Sequence, residues 1–243
     1  MQAYSTRMGP AQVVIVGGAS SWGAHETGHV TLPLDGGPWT LPIAYDEREA
    51  PFVVREDGSE RKDLLVSLTD EGQLCGCALA EVDGGSELVG VGIDLASPAD
   101  FGVRPGSERF IEVMFSARER ELALELDPMR PHYAYATLFG AKEAAFKATA
   151  RPLRVWYQTH DETLEFEVRD FGMEWLDEER GELRHGAAQR ALDCMGIERI
   201  RVLRSEYAGL ALVVPLSRLQ SVGLSLADHP RFSRTSHWVR LMC

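Results

Sequence analysis

The chain has 243 residues, 44% of them hydrophobic, and a formal charge of -12, enough for one large domain or two small ones with a real core. The negative balance excludes sequence-independent binding to nucleic acid, which draws on cationic surface. No run approaches the roughly 18 apolar residues of a membrane helix, and the opening MQAYSTRMG lacks the basic start and apolar centre of a signal peptide, so a cytoplasmic protein without a membrane partner is expected.

Short β-type runs bounded by glycine-rich turns fill the first part: QVVIV at 12–16, LLVSL at 64–68, LCGCALAEV at 74–82 and LVGVGIDL at 88–95. Cys75 and Cys77 point to one face of the third of these. Four cysteines at these spacings form neither a disulfide framework nor paired zinc knuckles, and reduced thiols are expected. From Ser107 the pattern turns helical, first SERFIEVMF, then SARERELALEL, where Ser116 and Glu119 have capping-box spacing. After the turn DPMRP, a third helix is predicted from about Tyr133 to Ala150, ended by Pro152. Two strands, LRVWY and TLEFEV, follow, then a helix GAAQRALDCMG stopped by Gly196, and a closing strand pair, IERIRVLR and LALVVPL.

LVSLTDEGQLCGCALAEV and RVLRSEYAGLALVVPL echo one another: each is a strand, a Ser or Thr turn with an acid, and a strand rich in Ala and Leu. Two α+β halves of related topology explain the echo. The Pro- and Gly-rich stretch at 96–106 divides the chain into residues 1–100 and 101–243.

Two motifs mislead. HETGH at 25–29 has the letters of a zinc-protease helix, but Gly28 and the glycine-rich flanks oppose a helix that would set His25 and His29 one turn apart, so a surface loop is expected. VVIVGGASSWG has the glycine-rich turn of a dinucleotide site, yet no Tyr is followed four residues later by Lys and the βαβ alternation is absent.

The chemistry concentrates elsewhere. Of three lysines in the chain, Lys142 and Lys147 fall in LFGAKEAAFKA, residues 138–148. Phe139, Glu143, Phe146 and Lys147 share one side of a helix with 3.6 residues per turn. As a bare pattern, Glu143 and Lys147 make an i to i+4 ion pair. A carboxylate between two rings is half-buried, however, and needs a cation. Asp94 poses the same question from its place between Ile93 and Leu95. If the two acids meet, they attract a hard divalent cation, magnesium, and Lys147 reaches the phosphate it bridges.

The segments that carry these residues resemble the 4'-phosphopantetheinyl transferases, the superfamily of holo-acyl-carrier-protein synthase, in its larger pseudo-dimeric type. Gly92, Ile93, Asp94 and Leu95 fit the strand end G-[IV]-D-[IL]. Phe139, Lys142, Glu143, Ala144 and Lys147 fit the helix [FW]-x-x-K-E-[AS]-x-x-K, with Glu143 49 residues after Asp94. The resemblance runs from about Leu64 to Ala150. It implies an α+β fold of two similar halves packed as a pseudo-dimer, with the active site between them, acting as a monomer. It implies transfer of 4'-phosphopantetheine from coenzyme A to a serine of an acyl or peptidyl carrier protein, with Mg²⁺ as cofactor and release of adenosine 3',5'-bisphosphate. Asp94 and Glu143 are then the metal ligands, Glu143 helps to deprotonate the serine, and Lys147 stabilises phosphate charge. Lys142, Thr69, Arg61 and Lys62 are the further candidates for coenzyme A contacts, Thr69 through a turn formed with Asp70. Arg104, Arg109, Arg118 and Arg120 are the candidate docking strip for an acidic carrier. Ala96 stands where larger members carry Glu, and Asp70 where they carry His; both favour the alternative of a member without turnover that binds a carrier or synthase.

Overall fold

The computed structural model describes residues 2–8, 11–17, 22–34, 37–82, 88–102, 105–159, 167–175, 180–186, 188–194, 200–204 and 208–213. Those up to Glu87 and those from Leu88 onward form two compact units.

The first unit is built from strands β1 (Gln2–Met8), β2 (Ala11–Gly17), β3 (His29–Leu34), β4 (Gly37–Tyr45), β5 (Pro51–Val53), β6 (Leu64–Glu71) and β7 (Leu74–Glu81), with one helical turn, α1 (Ala24–Thr27). They make two antiparallel sheets, β1-β2-β7-β6 and β3-β4-β5. Valines and leucines of β2, β3, β4 and β7 fill the core between them. Strands β2, β6 and β7 lie where the alternating runs predict. The β3–β4 pair carries Pro33 opposite Pro38 and Pro42 opposite His29, and prolines argue against strand on sequence alone. In HETGH, Gly28 sits at φ +69 and His29 opens β3, so the two histidines share no helix. Cys75 and Cys77 are buried free thiols, and burial pushes the Cys77 thiol up to about 12. Burial, and then the Asp70 charge, raise the Cys75 thiol as well, and a raised thiol disfavours the reactive thiolate.

The second unit comprises β8 (Gly90–Leu95), a 3₁₀ turn (Pro98–Phe101), α2 (Ser107–Met114), α3 (Ala117–Leu126), α4 (Pro131–Thr159), β9 (Phe171–Trp175), β10 (Arg180–His185), α5 (Gln189–Cys194), β11 (Ile200–Arg204) and β12 (Ala208–Val213). Its antiparallel sheet has the order β8-β12-β11-β10-β9, and α4 packs across β8 and β12. Ser116 and Glu119 form the predicted capping box of α3. Pro131 opens α4, where a missing N–H costs nothing.

The mixture of helices and strands agrees with an α+β class, and several expectations change. The break between units falls between Glu87 and Leu88, ahead of the 96–106 stretch, because β8 is hydrogen-bonded to β12. Among the described residues the first unit has no counterpart of α2 to α4. Helix α4 does not end before Pro152: it runs through it to Thr159 and absorbs LRVWY, which was expected as a strand. A helix-interior proline costs about 3 kcal/mol, and burial of Leu153 and Tyr157 in the core of this unit offsets it. Most of TLEFEV lies outside the described residues. Strand β10, RGELRH, has no apolar alternation to announce it, whereas the short β9, FGMEW, alternates Phe171, Met173 and Trp175 and was still not expected.

Candidate active site

The site starts from the two-residue period of a strand. Gly90, Gly92 and Asp94 alternate along β8 and face the same way, and that way is α4. A Cβ on Gly90 would overlap the Ala148 carbonyl oxygen, and one on Gly92 would overlap that of Ala144. The strand and the helix are therefore in backbone contact, running antiparallel. Small residues on both sides permit this: glycine on the strand, Ala144 and Ala148 on the helix, all buried. Pro152 contributes, since its missing N–H leaves the Ala148 carbonyl without its partner four residues on, beside Gly90.

Asp94 comes next on that face and is 5% exposed. Side chains on a helix lean toward its N-terminus, so Lys147 reaches past the Ala144 level to Asp94. Its Nζ donates to Asp94 Oδ1 at 2.7 Å and to the Ile93 carbonyl at 3.4 Å. The ion pair expected within the helix is thus made between helix and strand. Glu143, partly buried, makes no hydrogen bond or ion pair among the described residues. Burial, and then the charge of Asp94, raise its carboxyl above the ordinary value, and Lys147 pulls it back in part. Two carboxylates and one ammonium converge, although β8 and α4 are far apart in the chain.

Lys142, expected as a candidate phosphate contact, lies apart from them in this structure. The side chain is 0% exposed. Its Nζ donates to the Met114 carbonyl at 2.7 Å and pairs with Glu119 at 3.1 Å. Turned about 100° from Glu143 by one helical step, it enters the core instead of the site. Glu119 was legible only as a capping residue; its second role needs the packing of α3 on α4.

Thr69, Arg61 and Lys62 belong to the first unit. Thr69 and Asp70 do not form a turn: both lie in β6, Thr69 buried opposite Gly76 and Asp70 opposite Cys75. The turn falls at Gly72, whose φ of +60 suits glycine. Burial first, and the Asp70 charge second, raise the Tyr45 phenol above its ordinary value. Arg61 is engaged by Asp63 at 2.6 Å, and Arg55 reaches the same carboxylate at 3.3 Å. Lys62 is exposed. Of the arginines, Arg109 is exposed on α2, Arg118 is paired with Glu121 and Glu125 of its own helix, and Arg120 leans on the Phe115 carbonyl. Arg104 lies outside the described residues.

Asp94 and Glu143 are hard oxygen donors. Magnesium binds through one or two carboxylates together with waters and substrate phosphates, and this pair fits that pattern. Among the described residues no group of three or more His, Cys, Asp or Glu could hold a metal. Ala96 adds no donor, so a cation held by this pair would need further ligands from water or substrate. Residues 90–192 match the family model described as the 4'-phosphopantetheinyl transferase superfamily. A comparison with curated proteins gave no match.

Proposed function

We propose, from the match of residues 90–192 to the 4'-phosphopantetheinyl transferase superfamily, that this chain is an Mg²⁺-dependent enzyme that moves 4'-phosphopantetheine from coenzyme A to a serine of an acyl or peptidyl carrier protein. The observation that carries this reading is the meeting of Asp94, Glu143 and Lys147 at the β8–α4 contact. In the proposed reaction the serine Oγ attacks the phosphorus bearing pantetheine, the bond to the bridging oxygen breaks, and adenosine 3',5'-bisphosphate leaves with the electron pair. Glu143 takes the serine proton, and its raised carboxyl is the better base for it. Lys147 places its ammonium against the phosphate oxygens. Asp94 and Glu143 would hold a magnesium ion, which would supply charge neutralisation at the diphosphate. Most of the rate enhancement comes from positioning and charge.

Under this reading the chain works as a monomer, and Thr69, Arg61 and Lys62 are the candidate coenzyme A contacts that the first unit offers. The test is direct. The purified protein is incubated with coenzyme A, Mg²⁺ and several apo carriers, and the intact mass of each carrier is measured. A gain of one phosphopantetheine is expected. No gain on any carrier, with the protein folded, favours the second reading, a member that binds a carrier or synthase without turnover; Ala96 and Asp70 are the features behind it.

Two further outcomes are expected. Lys147 holds Glu143 down, so Lys147→Met moves the acidic limb of the kcat/KM profile to higher pH besides slowing transfer. An unmoved limb would mean that Glu143 is not the titrating base. Charge reversal at Arg109, which is not spent on its own helix, raises the carrier KM about threefold to tenfold. Reversal at Arg118, already paired with Glu121 and Glu125, changes it less. An unchanged KM in both removes the arginine strip from carrier docking.

A further inference from the structure

Lys142 and Glu119 are buried charges paired with each other, 0% and 3% exposed. Burying two charges is costly, and an apolar pair of similar volume would serve stability as well. What an apolar pair lacks is direction. The ammonium of Lys142 donates to the carbonyl of Met114, the last residue of α2, at 2.7 Å, and to Glu119 Oε2 at 3.2 Å. That carboxylate in turn accepts from the Ser116 N–H at 2.9 Å, capping α3. The ring of Phe115, between the two helices, lies 5.3 Å from the ammonium. One side chain of α4 thus holds the end of α2, the start of α3 and the corner between them.

The corner matters because of what α2 presents. Phe110 is 37% exposed and Val113 50% exposed, beside the exposed Arg109. The Phe110 ring lies 5.4 Å from that of Phe139, one helical turn ahead of Glu143 on α4. An apolar face with an arginine at its edge therefore stands next to the candidate base. Its height along α4 is set at the corner, one residue from Glu143.

We propose that Lys142 and Glu119 are positioning residues that lock the α2–α3 corner in a single register on α4, so that a carrier docked on α2 presents its serine to Glu143. The proposal rests on the transferase reading. Its signature is a split: the lock governs how the carrier is received and leaves the Asp94–Glu143–Lys147 cluster, fixed by the β8–α4 contact, as it is.

The test uses the full chain with K142M/E119L, which replaces the pair by apolar side chains, and with E119Q, which keeps the shape and the acceptor but removes the charge. Amide exchange over residues 114–119 and steady-state transfer are measured, with carrier and coenzyme A varied separately. In K142M/E119L, exchange over 114–119 is expected to accelerate at least about tenfold. The carrier KM is expected to rise by a similar factor, while the coenzyme A KM stays within about twofold. A folded double variant with wild-type exchange and wild-type kinetics overturns the proposal, as does an equal rise in both KM values. If the double variant does not fold, E119Q decides: a carrier-specific rise of about threefold or more supports the lock, and unchanged constants overturn it. A wild-type protein that modifies no carrier would defeat the transferase reading instead, and exchange at the corner would then judge the lock by itself.

Discussion

Glu143→Gln is expected to lower kcat/KM for phosphopantetheine transfer by about 10²- to 10³-fold, the scale of removing one preorganised charged group from a reacting centre, and at the same time to stabilise the metal-free protein. The two effects share a cause. Glu143 is partly buried, has no hydrogen-bond partner among the described residues, and faces the charge of Asp94. Its carboxyl is therefore raised in the folded state above the ordinary 4.5. The folded chain then holds this proton more tightly than the unfolded chain, so stability falls as pH rises from about 4.5 through the raised value. Glutamine does not titrate. The stability gap between E143Q and wild type, read from denaturant unfolding, should open over that window and persist at neutral pH. Magnesium should narrow the gap, because a cation bound by Asp94 and Glu143 stabilises wild type by mass action. A fully active E143Q would remove Glu143 from the chemistry. An E143Q without added stability would mean that the folded protein already compensates the carboxylate.

The second large effect lies in the backbone. Gly92→Ala places a Cβ into the Ala144 carbonyl and 2.8 Å from the Ala148 nitrogen. Neither is the end of a flexible side chain, so the helix itself must shift. Overpacking of a core typically costs 1–3 kcal/mol, and a clash against main chain belongs at or above the upper end, about 3 kcal/mol. Melting temperature and denaturant midpoint report that loss. The functional consequence is separable. Any G92A protein that folds has α4 pushed off β8, which stretches the 2.7 Å Lys147–Asp94 contact and parts Asp94 from Glu143. Transfer should then fall more than stability accounts for at temperatures where the protein is fully folded. Wild-type stability in G92A would show that the close approach of helix and strand is not required. Gly90→Ala, which meets the Ala148 carbonyl, provides an independent repeat.

These two substitutions also mark where sequence reading succeeds. Asp94 and Glu143 could be paired because each is an acid that breaks its local rule, one inside an apolar strand and the other between rings on a helix. A charge in the wrong place implies a partner, and the resemblance of both segments to one superfamily supplied it. Strands β2, β6, β7, β8, β11 and β12 announced themselves by apolar runs, and α3 by its capping box. The proline-bearing β3 and β4, the short β9 and the charged β10 did not, because their place in a sheet is set by neighbours and not by their own propensity. Pro152 misled for the same reason: a local penalty of a few kcal/mol yields to burial of Leu153 and Tyr157, which no local window can see.

The amino-acid order alone singled out Asp94, Glu143 and Lys147 as candidates, two acids out of place in their segments and a lysine one helical turn from one of them, and the resemblance to a superfamily gave them their proposed roles. Tertiary structure decided how they are used. It gave Lys147 to Asp94 instead of Glu143 and drew Lys142 into the core against Glu119, because adjacent helix positions point about 100° apart and the sequence does not say which neighbour lies on each side. It also made Gly90 and Gly92 necessary, since room for a Cβ is a property of two backbones brought together and belongs to neither of them separately.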